Sequence, residues 1–296
     1  MLQFLRKVRL TAKGSSGQVT INPGDLEEAQ IKIAFDVAKT VSSTPNSVSI
    51  RIWNLAEGTR KGLGKELDQI TLEAGYLPPG SSKGNVGIIF KGQLRDVEHR
   101  RDGADIITEL SAGDGDKAIR SSTISKTYKA GSKVGDVVND IQAELKKKGV
   151  DRGEWKFPDK MPEFKRPYSV CGGCKQELDT LGKAKGFYWS IQNGALEIVP
   201  GDGYIGQVTL LTSETGLIGT PTITDNGVKF KALLNPAIAP NKRVRIEAET
   251  LSMNGKANEY RVSECTFSGD NRDGDFSVSG TGESINNKKV DEGKKK

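Results

Sequence analysis

The 296-residue sequence has one histidine, three cysteines, three tryptophans and no long apolar run. Each shortage excludes something. A single imidazole, His99, leaves little material for acid–base chemistry near neutral pH. It follows Val97-Glu98 and precedes Arg100-Arg101, with no serine or cysteine motif pointing to a triad. An odd number of cysteines argues against a secreted disulfide framework. A zinc site needs four ligands, and beyond Cys171 and Cys174 the chain offers only Cys265 and His99, both in expected strands of different β regions. No stretch approaches the roughly 20 apolar residues of a membrane-spanning helix, so no membrane insertion by this chain is expected. The opening residues MLQFLRKVRLTAKG lack the apolar centre of a signal peptide, and Leu2, Phe4 and Leu10 read as one face of a first strand. A soluble protein made in a cytoplasm is expected. There is no H-E-x-x-H, no Walker loop and no isolated carboxylate pair of glycosidase type.

What is abundant is glycine, at 35 residues, punctuating short runs of Val, Ile, Thr and Leu. That pattern predicts a mainly β protein. AQIKIAFDVAKT (29–40) places Ile31, Ile33, Phe35 and Val37 on one face, and NSVSIRIWNL (46–55) does the same with Val48, Ile50, Ile52 and Leu55. AEGTRKGLGKEL (56–67) predicts a short surface helix or turn, DQITLEAGY (68–76) another strand, and PPGSSKGN (78–85) a loop. Residues 86–115 predict a hairpin turning at Arg101-Asp102-Gly103-Ala104. About six strands in about 115 residues is the density of a small antiparallel barrel or sandwich.

The middle changes texture. Val134, Val137, Val138, Ile141 and Leu145 follow a helical period, with Ser132 as the expected cap and Gly149 as the stop. A second helix is predicted from about Gly173 to Lys185, with Leu178 and Leu181 inward and Gly186 ending it. FYWSIQ and ALEIVP then form two strands around Asn193-Gly194. The last third reverts to strands: QVTLLT (207–212), TPTITDNGVKFKALLN (220–235), KRVRIEAET (242–250), NEYRVSECTFSGDN (258–271) and GDFSVSGTG (274–282), with turns at Asn226-Gly227 and Asp273-Gly274. The net charge of +6 is mild, and part of it sits in KKVDEGKKK (288–296), which predicts a solvated, disordered tail.

The expected organisation is therefore a mainly β fold with a small α+β insert and two tube-like antiparallel β-barrel domains. Residues 1–118 form the first barrel and 119–204 the insert, whose first strand is free to join the second barrel. Residues 205–283 form that second barrel, and 284–296 a flexible charged tail.

Three motifs mimic chemistry. GDGYIG (201–206) satisfies G-x-G-x-x-G, but a strand follows where a dinucleotide site needs a helix N-terminus. GDNRDGD (269–275) resembles a calcium loop, yet Gly269 and Gly280 occupy the positions where the first and last carboxylates would stand. Cys171-Gly172-Gly173-Cys174 has redox spacing without the surrounding βαβ architecture, and Cys174 reads as a small apolar residue packing inward. No catalytic, cofactor-binding or metal-binding residue is assigned, and no cofactor is expected.

Four segments in order resemble the baseplate hub proteins of contractile-tailed bacteriophages. They are IRIWNLAEGTRKGL (50–63) with ITLEAGY (70–76), IIFKGQLRDVEHRRDGADIITELSAGDGDKAI (88–119), YSVCGGCKQELDTLGKAKGFYWSIQNGALEIVP (168–200) and ETGLIGTPTITDNGVKFKALLNPAIAPNKRVRI (214–246). The resemblance implies a non-enzymatic homotrimer whose paired barrels form a pseudo-sixfold ring between tail tube protein and central spike protein. It implies contacts with other baseplate proteins, passage of phage DNA without sequence-specific binding, and a place in the virion tail baseplate, assembled in the host cytoplasm. A hub of a related contractile injection system or tailocin is the nearest alternative. Alternatives of other classes are a thiol–disulfide oxidoreductase using Cys171 and Cys174, and a carbohydrate-binding β protein using Trp53, Trp155 and Trp189.

Overall fold

Thirteen strands join one sheet, in which two sequence-distant β regions are sewn together. A computed structural model describes residues 5–24, 30–78, 84–159, 161–201, 203–248, 251, 253 and 256–285. Leu2, Phe4 and nearly all of the expected tail lie outside these residues.

The first β region contains β1 (Leu5–Gly14), β2 (Gly17–Ile21), β3 (Ile33–Thr40), β4 (Ser47–Trp53), β5 (Leu67–Leu77), β6 (Gly87–Asp102) and β7 (Asp105–Gly113), with helix α1 (Glu57–Gly62) after β4. The insert comprises α2 (Asp116–Ser121), β8 (Thr123–Tyr128), α3 (Val134–Lys146), β9 (Asp151–Trp155), β10 (Tyr168–Gly173), α4 (Cys174–Lys185), β11 (Phe187–Gln192) and β12 (Ala195–Pro200). The last region holds β13 (Val208–Leu211), β14 (Thr222–Thr224), β15 (Gly227–Leu233), β16 (Arg243–Ile246), β17 (Glu259–Asp270) and β18 (Phe276–Ser284).

The main path runs β14-β15-β18-β17-β3-β4-β7-β6-β5-β1-β2, with β16 branching from β17 and carrying β13. Its ladders are antiparallel except for β13–β16. The two regions meet where β17 pairs with β3, placing Val37 opposite Phe267 and Lys39 opposite Cys265. Alternation puts Ile33, Phe35 and Val37 on the same side as Ile50, Ile52, Phe267 and Val278, and all join one buried cluster. Each such side chain contributes about 1.5–3 kcal/mol by leaving water, so neither region retains its own complete core if separated. Polar groups reinforce the junction. Arg6 donates to the backbone carbonyls of Asp270, Asp273 and Gly274 at 2.9, 2.7 and 2.6 Å. The Tyr76 hydroxyl donates to the Phe276 carbonyl at 2.8 Å.

The insert has a separate apolar cluster built from α3, α4 and the strands around them. All five apolar residues of the α3 stripe are buried, as their spacing requires. Its cap is not Ser132: the Lys133 amide donates to Asp136 in the first turn. α4 buries Leu178 and Leu181 and ends at Gly186. The insert's first strand, β8, pairs with β10 and not with the second β region.

Two turns are displaced by one residue from expectation. In the β6–β7 hairpin Asp102 faces Asp105, so the turn residues are Gly103-Ala104, with φ 59° at Gly103. In the β14–β15 hairpin Thr224 faces Gly227, leaving Asp225-Asn226 as the turn. Gly227 instead serves close approach, because a Cβ there would lie 1.9 Å from the Gly282 carbonyl oxygen.

Candidate functional site

The residues that mimic chemistry are dispersed and occupied. Cys171 is exposed on β10, whereas Cys174 opens α4 and is fully buried. Burial, helped by nearby Glu144, pushes the Cys174 thiol up to about 11, and burial pushes Cys265 up to about 12. A thiol held protonated is a poor nucleophile and metal ligand. Native protein should therefore be labelled by a thiol-reactive dye at Cys171 alone, with Cys174 and Cys265 reacting only after denaturation. Rapid labelling of Cys174 in the folded state would contradict this packing.

His99 sits on the outer half of β6, its Nδ1 3.1 Å from the Thr108 hydroxyl. Gly203 to Gly206 lead into β13, a strand. The acidic loop after β17 is held by cations of this chain: Lys32 lies 3.2 Å from Asp270 and 3.7 Å from Asp273. Among the described residues, no group of three or more His, Cys, Asp or Glu side chains is arranged to hold a metal ion. The three tryptophans form no platform. Trp155 and Trp189 donate their indole N–H groups to the Leu196 carbonyl at 2.8 Å and to Asp179 at 2.9 Å. Lys32 and Arg51 lie over Trp53 in the first β region.

The sheet edges are the more informative surface. Beyond Gln93, β6 has no ladder partner on its β5 side among the described residues. That free stretch carries Arg95, Asp96, Glu98, Arg100, Arg101 and Asp102, charges that deter strand addition. Two edges in the last region lack this protection. Among the described residues β13 pairs only with β16, and it exposes 43% of Leu210. The glycine-rich segment before β14 pairs with β15 through Leu217 and Ala232, with Ile218 40% exposed. A tight turn joins the two, in which the Thr215 hydroxyl donates to the Leu210 carbonyl at 2.9 Å. Apolar, uncharged edges of this kind suit pairing with another chain. β2 ends the sheet on the opposite side.

A second feature is the joint beneath the insert, where the β11–β12 hairpin reaches both β regions. The Asn46 side-chain amide donates to the Ile191 carbonyl at 2.8 Å and to the Gln192 side chain at 3.0 Å. Gln192 donates to the Thr40 carbonyl at 2.8 Å. Lys39 donates to Asn193 at 2.8 Å, and Asn241 of the last region donates to Glu197 at 2.8 Å. Asp114 accepts from the Gly194 amide at 2.8 Å. Burial drives its carboxyl up to about 7 despite the pull of Lys39, and burial lowers the Lys39 ammonium from its usual range. Sequence reading missed this cluster, since its members are spread from residue 39 to residue 241. The Asn-Gly turn was the only local signal.

Both features organise and present a β scaffold. No curated protein matches the chain in sequence. Among solved structures, the tail protein from Neisseria meningitidis MC58 superposes with a TM-score of 0.61 at 11% identity, covering 96% of this chain and 98% of that one. The 43 kDa tail protein of prophage MuSo2 from Shewanella oneidensis gives 0.59 at 10% identity, covering 95% and 98%. The E. coli c3393 protein, a component of the type VI secretion system with structural similarity to the T4 bacteriophage tail proteins gp27 and gp5, gives 0.58 at 12% identity, covering 86% and 74%. These likenesses concern the fold, a mainly β tail-hub architecture. The profile of baseplate hub gp41 matches residues 16–282. Spanning nearly all of the sequence, that match shows that the chain belongs to the baseplate hub gp41 family.

Proposed function

We propose that three copies of the chain close into a ring of six quasi-equivalent β units that joins a phage tail tube to its central spike and lets DNA pass. The observation that carries this reading is one sheet that unites two β regions and ends on unprotected apolar edges. A heterologous edge contact that closes by rotation generates a ring, and two units per chain turn a threefold ring into a pseudo-sixfold one. In this reading residues 1–118 and 205–283 are the ring units, 119–204 a peripheral module facing other baseplate proteins, and 284–296 a tail. The role is structural in a contractile tail, without catalysis. The lumen is expected to avoid tight phosphate contacts, for which a net charge of only +6 is suited.

The test is the mass of the purified protein by light scattering, alone and mixed with the tail tube and spike proteins of the same virus. The expected species has three times the 32.0 kDa chain mass and binds both partners. A strict monomer that joins neither would overturn the reading.

A further inference from the structure

The joint beneath the insert carries an arrangement with chemistry of its own. Lys39 extends from β3 into the interior, where only 3% of the residue is exposed. Its Nζ donates to the Ile89 carbonyl at 3.2 Å and to the Asn193 side-chain carbonyl at 2.8 Å. A buried primary amine thus touches the carboxamide of a half-buried asparagine. Asp114 beside them is fully buried. One of its oxygens holds the Gly194 amide, and the other, Oδ2, has no hydrogen-bond partner. Of the neighbouring ionisable groups, Asp114, Glu197 and Cys265 favour the charged amine and Lys242 opposes it, all of them outweighed by burial.

We propose that Lys39 and Asn193 become joined by an intramolecular isopeptide bond, with Asp114 as the acid that assists its formation. Nζ adds to the side-chain Cγ of Asn193, and the bond from Cγ to Nδ2 breaks. The nitrogen that leaves takes a proton given up by Nζ and departs as ammonia, so one amide replaces another and no oxidant is required. Three conditions favour the step. Burial favours the neutral amine, the only form with a lone pair for attack. Burial also favours a protonated Asp114, which supplies and recovers the proton without water. Finally, the fold holds amine and amide together, removing the entropic cost of bringing them there.

The turn itself disfavours the competing reaction. Asn-Gly sequences deamidate when the glycine nitrogen attacks the asparagine side chain, and here the Gly194 N–H is bound to Asp114 at 2.8 Å. The product would tie the insert's β11–β12 hairpin covalently to β3, across a joint otherwise made of hydrogen bonds.

The experiment is the intact mass of the full chain under denaturing conditions, with peptide mapping of the region around residues 39 and 193. The expected chain is lighter than its sequence by one ammonia, with the Lys39 and Asn193 peptides recovered as one branched species. Lys39→Arg should keep the full sequence mass, and Asn193→Asp should link with loss of water instead. Asp114→Asn should slow linkage at least tenfold in protein whose circular dichroism is unchanged. A wild-type chain at full mass with separate peptides, or one carrying only deamidated Asn193, would overturn the cross-link. Linkage of Asp114→Asn at the wild-type rate would overturn the acid's assignment.

Discussion

A chain carrying Leu210→Lys and Ile218→Lys is expected to fold with its usual melting temperature and to elute as a monomer. Both side chains are about two-fifths exposed in the isolated chain, so the ammonium of a lysine at either position reaches water in the folded subunit. Surface substitutions away from caps and cores change stability by roughly 0.5 kcal/mol or less. In a ring closed through these edges the same lysines would be buried against an apolar neighbour. An unpaired buried charge costs on the order of 2–5 kcal/mol, which weakens association by about 30- to several-thousandfold. Light scattering over a concentration series reads the shift directly. A trimer that persists at wild-type concentrations would mean that β13 and the 216–218 segment face solvent in the assembly.

The second large effect concerns the seam between the two β regions. Phe267→Ala is expected to destabilise the whole β scaffold by about 3–5 kcal/mol, the usual cost of deleting a buried phenylalanine ring. Phe267 is 1% exposed, facing Val37 across the β3–β17 ladder and Val278 across β17–β18. Because one apolar cluster serves both regions, the loss should be shared. Hydrogen exchange should show amides of β4 and β15 losing protection together, by at least a hundredfold. If β15 opens while β4 keeps its protection, the regions are separate folding units and the shared core has been overvalued.

How far these features could be read beforehand depends on the range of the physics involved. The α3 stripe was legible because a helix buries residues three and four apart in sequence, and all five members are buried. The strands β3 and β4 were legible from alternation alone. The Asn193-Gly194 turn stands where it was expected, and two other turns are displaced by one residue. Asn226-Gly227 has the composition of a tight turn, yet Gly227 is needed in the strand beside Gly282, a demand that arises from β18. The short strands β9 and β10 and helix α2 escaped notice because each takes its stability from packing against distant segments.

The site followed the same division. That few further ligands are available to Cys171 and Cys174 could be counted from the composition, which holds one more cysteine and one histidine. That Cys174 is buried while Cys171 is exposed required the strand-to-helix junction between them. The contact between Lys39 and Asn193 left no trace in the chain, because their side chains meet only after the insert has docked.

The sequence by itself determined the mainly β class, the positions of the longer helices and strands, and an ordered set of segments typical of baseplate hubs. Local periodicity, turn chemistry and composition encode those properties within a dozen or so residues. Only the tertiary structure decided that β3 pairs with β17, which edges remain apolar and open, and which polar groups are trapped beneath the insert. Alternating strands satisfy many partners equally well, so the choice among them rests on the burial of one common core, a property of no single segment.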